Sequence, residues 1–346
     1  MKYTRTVLLI FAAFIFIMST AVIAQTTQEE YQQRIADLQA RFTELRDEMQ
    51  AASETGDHEG YNRANDEAQK IQEELKKLSE ELTALSNLEA RARRAYNDGL
   101  NALRRRDYQT ALARANEAVE LIPEYPRAFS VIGLANFHLR NFDESEKAYK
   151  RSIELDPEDP TVWENLGTLY DAMGRENDAI SAFTRSIEID STRATVYYRK
   201  GNVYSSRLND YLKAIPEFQK AVELNPNYHL AFNALGVAYK ELNRMANARA
   251  AFESAVAVNE TYGEAWIRLS DVYQELGKHD KAIEAAEKGI QHERRRALHA
   301  VAYIAKGKAF HMKGENAKAK EALEKAAENR SYAQYANWYI ENRLNR

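Results

Sequence analysis

The chain has 346 residues, 29% of them charged, with a formal net charge of -4 and an isoelectric point near 6.1. That balance supplies no electrostatic footprint for nucleic acid, and the short basic runs Arg104 to Arg106 and Arg294 to Arg296 read as solvated helix ends. Cysteine is absent, which excludes disulfides, thiolate nucleophiles, lipid attachment through cysteine and cysteine-ligated zinc.

In residues 1–24, Lys2 and Arg5 precede an apolar run from Val7 to Met18, and the small residues Val22 and Ala24 stand just before Gln25. This order predicts a secretory signal peptide cleaved after Ala24. The run is shorter than the ~20 residues of a membrane span. An uncleaved N-terminal helix anchoring the chain in the membrane is the alternative. Without cysteines, the simplest location is the periplasm, or secretion, from a Gram-negative envelope.

Residues 25–90 contain no proline, and apolar residues step by threes and fours: Tyr31, Ile35, Leu38, Phe42, Leu45, Met49, then Ala64, Ala68, Ile71, Leu75, Leu78, Leu82, Leu85. This heptad-like seam predicts a coiled-coil segment. Gly56 and Gly60 break it, so two helices fold back as a hairpin. Each arm carries a narrow apolar stripe, and self-association into a homo-oligomer through residues 28–90 is expected.

From about Ala92 the period becomes 34 residues. With glycine set at place 8 of each unit, Gly99, Gly133, Gly167, Gly201, Gly236 and Gly307 align, and Ser270 stands there in the sixth of seven units. Place 4 holds Ala95, Phe129, Trp163, Tyr197, Phe232, Trp266 and Tyr303; place 20 holds alanine or Ser145. The third unit, with Trp163, Leu166, Gly167, Tyr170, Ala179 and Phe183, resembles a tetratricopeptide repeat. The resemblance runs from about Ala92 to Tyr332. It implies an all-α fold, an α-solenoid of about seven helix pairs over residues 91–333, closed by a capping helix at 334–346. Two departures stand out: one extra residue near Leu208 to Asp210, with Pro216 beyond it, where a kink is expected, and about three extra residues through His292 to Leu298.

On a helix, places 4, 7, 8 and 11 share one face and 2, 5, 9 and 12 the opposite one. The aromatic and glycine places are therefore packing places. The resemblance implies that partners contact the outward places of the first helices, on a concave face. There stand Glu164, Asn165, Thr168, Tyr198, Arg199, Asn202, Asn233, Lys240 and Arg268, polar groups able to hydrogen-bond a peptide or carboxylate. Asn165 and Arg199 fall on two places of the two-carboxylate clamp that some family members use. Ser130, Leu134 and Thr195 occupy the other three and do not suit it.

No histidine pair at metal-binding spacing, nucleophile elbow, phosphate loop or dinucleotide fingerprint occurs, so no catalytic residue, metal or cofactor is expected. The layout resembles periplasmic envelope scaffolds that join a coiled coil to tetratricopeptide repeats. It implies a non-catalytic scaffold of the bacterial envelope that holds a partner protein or peptide and no nucleic acid. Two alternatives stand beside it, a structural oligomerising component of a larger envelope or secreted assembly, and a regulatory subunit of an envelope enzyme.

Overall fold

A computed structural model describes residues 20–344, and these hold sixteen α-helices and no strand. Most of the expected signal peptide, residues 1–19, lies outside them. No helix among the described residues is long and apolar enough to cross a membrane.

Helix α1 (Thr20–Thr55) turns back as α2 (His58–Arg104). At the turn Gly56 takes a φ of 72°, which a side chain would strain, and the Asp57 carboxylate accepts from the Gly60 N–H at 2.9 Å. Ion pairs Arg34–Glu74 and Arg41–Glu67, each at 3.1 Å, show the arms antiparallel: the first number rises by seven as its partner falls by seven. Leu38, Leu45, Ala64, Ala68 and Ile71 form the seam, flanked by Phe42, Met49, Leu75 and Leu78. The expected division at residue 90 falls inside α2, which continues unbroken to Arg104. No proline or turn glycine interrupts it there, so one helix serves the hairpin first and the repeats afterwards. Its buried Ala92, Ala95, Gly99 and Ala102 lie in the first helix of the first repeat.

The rest alternates first and second repeat helices: α3 (Tyr108–Leu121), α4 (Pro126–His138), α5 (Phe142–Leu155), α6 (Pro160–Ala172), α7 (Glu176–Ile189), α8 (Ala194–Asn202), α9 (Tyr211–Leu224), α10 (His229–Glu241), α11 (Met245–Val258), α12 (Gly263–Glu275), α13 (His279–His292), α14 (Arg296–Met312), α15 (Asn316–Ala327) and α16 (Arg330–Tyr339). This is a tetratricopeptide-like α-solenoid. The chain divides into two compact units, one ending at Leu169 and the other beginning at Tyr170.

Within a repeat, the glycine at place 8 lies under the side chain at place 24. A Cβ on Gly133 would meet the Tyr149 ring at 2.6 Å, one on Gly201 the Phe218 ring at 2.6 Å, and one on Gly236 the Phe252 ring at 2.7 Å. Each of these rings is essentially fully buried. The sixth repeat carries Ser270 instead of glycine, and there place 24 is Ala286, whose small side chain leaves the room a ring would fill. Ser270 Oγ donates to the Ala282 carbonyl at 2.7 Å, which satisfies the buried hydroxyl. Successive repeats are tied by the tyrosine at place 11: Tyr239 Oη accepts from Gln219 at 3.1 Å, and Tyr273 Oη donates to Glu253 at 2.7 Å. Both tyrosine side chains are buried, with only the hydroxyl reaching a polar group.

Every turn between paired helices places one residue at positive φ. Gly174, Gly277 and Gly314 take this place in three repeats and Asn209 and Asn243 in two, while Arg106 and Arg140 do so in the first two. The extra residue of the fourth repeat is absorbed in a π-turn, Val203–Arg207, with the Leu208 N–H reaching back to the Val203 carbonyl at 3.3 Å. Pro216 sits within α9, which runs unbroken around it, and Leu212, whose carbonyl Pro216 cannot bond, is 63% exposed. The extra residues of the sixth repeat form an extended link at Glu293 to Arg295 between α13 and α14. Tail helix α16 begins at Arg330, earlier than 334, and packs through Ala336, with Ile340 of the turn that follows it, on Ala300, Leu323 and Ala326. Trp338 and Tyr335 stay 48% and 40% exposed on its other side.

Two substitutions check this packing by urea unfolding. Gly236→Ala forces a methyl into the Phe252 ring and is expected to lower stability by about 1–3 kcal/mol. Arg106→Gly relieves a left-handed turn at an exposed residue and is expected to raise it by up to about 1 kcal/mol.

Candidate functional site

The outward places predicted from the sequence divide between the two compact units. In the first, Glu164 is buried at 8% exposure, Asn165 and Thr168 are half-buried, and Thr168 Oγ1 donates back to the Glu164 carbonyl at 2.9 Å. In the second, Tyr198 packs on Phe218 and Tyr228, with ring centroids 6.0 and 4.9 Å apart. Arg199 is exposed and Asn202 half-buried. Asn233 is 8% exposed, and its Oδ1 accepts no hydrogen bond.

Burial of Glu164 and Asn233 corrects the expectation that these two stand open. Both occupy place 5, as does Ile267, which is 3% exposed. The helical wheel treats a helix pair in isolation, whereas first helices of neighbouring repeats, such as α12 and α14, also pack directly on one another. Place 5 lies at that seam, so Glu164, Asn233 and Ile267 are enclosed although they point away from their own partner helices.

The structure brings Lys240 and Arg268 together in one groove of ≈ 380 Å³ in the second unit. Helix α12 contributes Glu264, Ile267, Arg268 and Asp271, which are places 2, 5, 6 and 9 of the sixth repeat. Helix α14 contributes Val301, Ile304, Ala305 and Lys308, the same four places of the seventh. Leu298, Tyr332 and Tyr335 complete the wall, and Lys240 enters from α10. Tyr198, Arg199, Asn202 and Asn233 do not line it.

The floor is aliphatic and the rim charged. Lys240 pairs with Asp271, and Arg268 with Glu264 at 2.7 Å. Arg295, in the extended link, reaches the same Glu264 at 2.7 Å and Glu293 at 2.8 Å. Burial pushes the Glu264 carboxyl upward, but hydrogen bonds from Arg295 and Arg268 outweigh it and hold the carboxyl below its ordinary range. Hydrogen bonds from the Arg295 guanidinium, helped by the N–H groups of Arg295 and Arg294, hold the Glu293 carboxyl down at about 2 against the opposing effect of burial. The link that looked irregular in sequence is thus locked to the groove wall. Glu264, Asp271 and Lys308 escaped the sequence reading, although places 2 and 9 of the repeat register mark them as groove positions. No group of three or more potential metal ligands occurs among the described residues.

Tetratricopeptide repeat models match residues 96–160, 148–181, 194–228, 230–262, 263–291 and 300–331. Among solved structures, the chain is similar to the C-terminal part of a TPR repeat-containing protein from Cytophaga hutchinsonii, with 14% identity and a TM-score of 0.58, covering 67% of this chain and 93% of that one. It is similar to pilF of Pseudomonas aeruginosa, with 15% identity and a TM-score of 0.53, covering 59% of this chain and 93% of that one. A tetratricopeptide repeat protein from Parabacteroides merdae matches with 17% identity and a TM-score of 0.50, covering 73% of this chain and 98% of that one. At these identities the likeness concerns the fold. The comparison with curated proteins finds no match.

Acid unfolding tests the locked link. Because the folded Glu293 carboxyl ionises at about 2, below its ordinary value near 4.5, its stabilisation is complete above about pH 5 and fades as pH falls towards 2. Glu293→Gln is expected to lose roughly 1.5–3 kcal/mol at pH 7, the range for hydrogen bonds to a charged group. Its thermal midpoint, followed by circular dichroism, should fall less than that of the wild type between pH 6 and pH 3.

Proposed function

The chain belongs to the tetratricopeptide repeat family, and from that premise we propose that it is a non-catalytic scaffold whose groove-facing places hold another protein. The observation that carries this reading is the groove itself, built from the same four places of two successive repeats. An aliphatic floor with a charged rim suits a polypeptide, which offers apolar side chains and backbone hydrogen-bonding groups together. The mechanism is pre-organisation: helices fixed by glycine-to-ring packing hold the contacting side chains in place, so less ordering entropy opposes binding.

We place this scaffold in the bacterial envelope, exported through residues 1–24, on the support of the N-terminal residue order. Self-association through residues 28–90 belongs to the same proposal, supported by the apolar stripe of the hairpin, where Leu75 and Leu78 are only partly buried. Asn165 in the first unit is proposed to contact a partner, and so, separately, are Arg199 and Asn202 in the second unit and Lys240 and Arg268 in its terminal groove.

Affinity capture from the native envelope tests this. Two variants are compared with the wild type, one with Asn165, Arg199 and Asn202 changed to alanine and one with Lys240 and Arg268 changed to alanine. Each is expected to lose a partner retained by the wild type while keeping its helical circular dichroism. An unchanged partner set in both would overturn the groove reading.

A further inference from the structure

We propose that the exposed edge of tail helix α16, together with the C-terminal end of α14, is a contact surface for an anionic phospholipid membrane. It shares only Lys308 and Tyr335 with the groove and does not depend on the groove reading. Exposure, charge and size lead to it in turn.

Seven large apolar side chains are exposed among the described residues, and three of them, Met312, Tyr335 and Trp338, gather at this end. Tyr335 and Trp338 stand three residues apart on α16, with ring centroids 6.3 Å apart. Lys308 lies over Tyr335 and His311 against Tyr339, so α14 and α16 run side by side in the same direction. Met312, one turn beyond Lys308, therefore ends on the same side. The inner face of α16 is already committed to the seventh repeat through Ala336.

Arg343 Cζ lies 6.0 Å from the centre of the Trp338 ring, and Lys308 Nζ lies 5.2 Å from that of Tyr335. Burial raises the pKa of the Tyr339 phenol and both cations pull it back, so the two converge on one cluster of rings. Neither has a carboxylate partner among the described residues. A cation over a half-exposed ring keeps part of its hydration and remains able to meet an anion. From Arg330 onward the sequence holds three arginines and one glutamate, Glu341, a net charge of +2 where the whole chain carries -4.

Size decides what covers the patch. A fully covered aromatic side chain buries ~150–250 Å², so three large side chains that are about half exposed offer on the order of 300 Å². A specific protein interface takes ~800 Å² from each partner and makes little use of lysine. Tyrosine and tryptophan edged by lysine and arginine instead match the boundary of a bilayer, where rings sit at headgroup level and cations meet lipid phosphate. Helix α16 has ten residues and is ~15 Å long, against a hydrocarbon core of ~30 Å. With its inner face taken, the helix rests on the surface by its edge and does not span it.

The test is quenching of tryptophan fluorescence in the full chain by vesicles of brominated phosphatidylcholine, with or without an equal part of phosphatidylglycerol. The Trp338 share of the emission is the difference between the wild type and Trp338→Phe, so lipid contact elsewhere in the chain does not enter the reading. With phosphatidylglycerol present, at least half of that share is expected to be quenched, and almost none without it or in about 0.5 M salt. Changing Lys308 and Arg343 together to glutamine should raise the lipid concentration required about tenfold, in line with two cations at a charged surface. Lys308→Arg combined with Arg343→Lys should restore most of the binding, with far-ultraviolet circular dichroism unchanged in both variants. Equal quenching by the two kinds of vesicle, or indifference to the glutamine pair, overturns the proposal. Absence of quenching overturns it too, and a Trp338 emission that then shifts with protein concentration assigns the patch to a second copy of the chain.

Discussion

The contact of a buried ring with a bare glycine backbone is the constraint from which the repeat array follows. In the second, fourth and fifth repeats the first helix presents a glycine, and the second helix fills the vacancy with Tyr149, Phe218 and Phe252, while in the seventh Leu323 takes the ring's place over Gly307. The approach is so close that a single methyl would overlap the ring, which sets the distance and rotation of the two helices together. The sixth repeat shows the constraint by its exception. Ser270 is admitted because Ala286 has replaced the ring, and a hydroxyl-to-carbonyl bond takes over the tie between helices. Ser145 does the same in the second repeat from the opposite helix, donating to the Gly133 carbonyl at 2.7 Å. A ring at place 24 thus goes with glycine at place 8, and a small residue at place 24 relaxes that demand.

Once pairs are fixed, their stacking is decided by fewer contacts. The place-11 tyrosines bury their rings against the repeat before and use the hydroxyl to reach a polar group on it, twenty residues back in both Tyr239 and Tyr273. Burial raises the pKa of the Tyr273 phenol, and the hydrogen bond to Glu253 raises it further, so the proton stays on the phenol and the bond persists at any ordinary pH. A tyrosine here specifies the neighbour as well as filling space, a task phenylalanine could not perform.

The period, the packing face and the number of repeats were legible because they are imposed by short-range volume rules that leave a glycine or an aromatic at a regular interval. The boundary near residue 90 was not, because a helix ends where something breaks it, and nothing does until Arg104. The change of packing partner along α2 leaves no mark on its apolar spacing, since one alternation of threes and fours serves both partners. The enclosure of Glu164 and Asn233 was hidden for a related reason: a wheel drawn for one pair knows nothing of the next repeat. The ion pairs of the groove lie between these cases. Lys240 and Asp271 are thirty-one residues apart, as are Glu264 and Arg295. The first of these spacings is one repeat less one helical turn, so it could have been sought once the period was known.

That spacing explains why a groove of this type carries chemical character although every repeat is built alike. Packing places are held to a narrow set of volumes, so variation collects at places 2, 5, 6, 9 and 12, and these are brought side by side by the same helix contacts that constrain the rest. Charges arriving there are mostly consumed by one another. Asp271 takes Lys240, Glu264 takes Arg268 and Arg295, and the extended link spends Glu293 on holding Arg295 in place. Such pairs fix the rim and exclude unpaired partners, but being mutually satisfied they contribute little net attraction. What distinguishes the groove is therefore its remainder: an aliphatic floor, and at its end one lysine resting on an aromatic ring with no carboxylate partner among the described residues. Reading a scaffold for function amounts to finding which charges the fold has not already used.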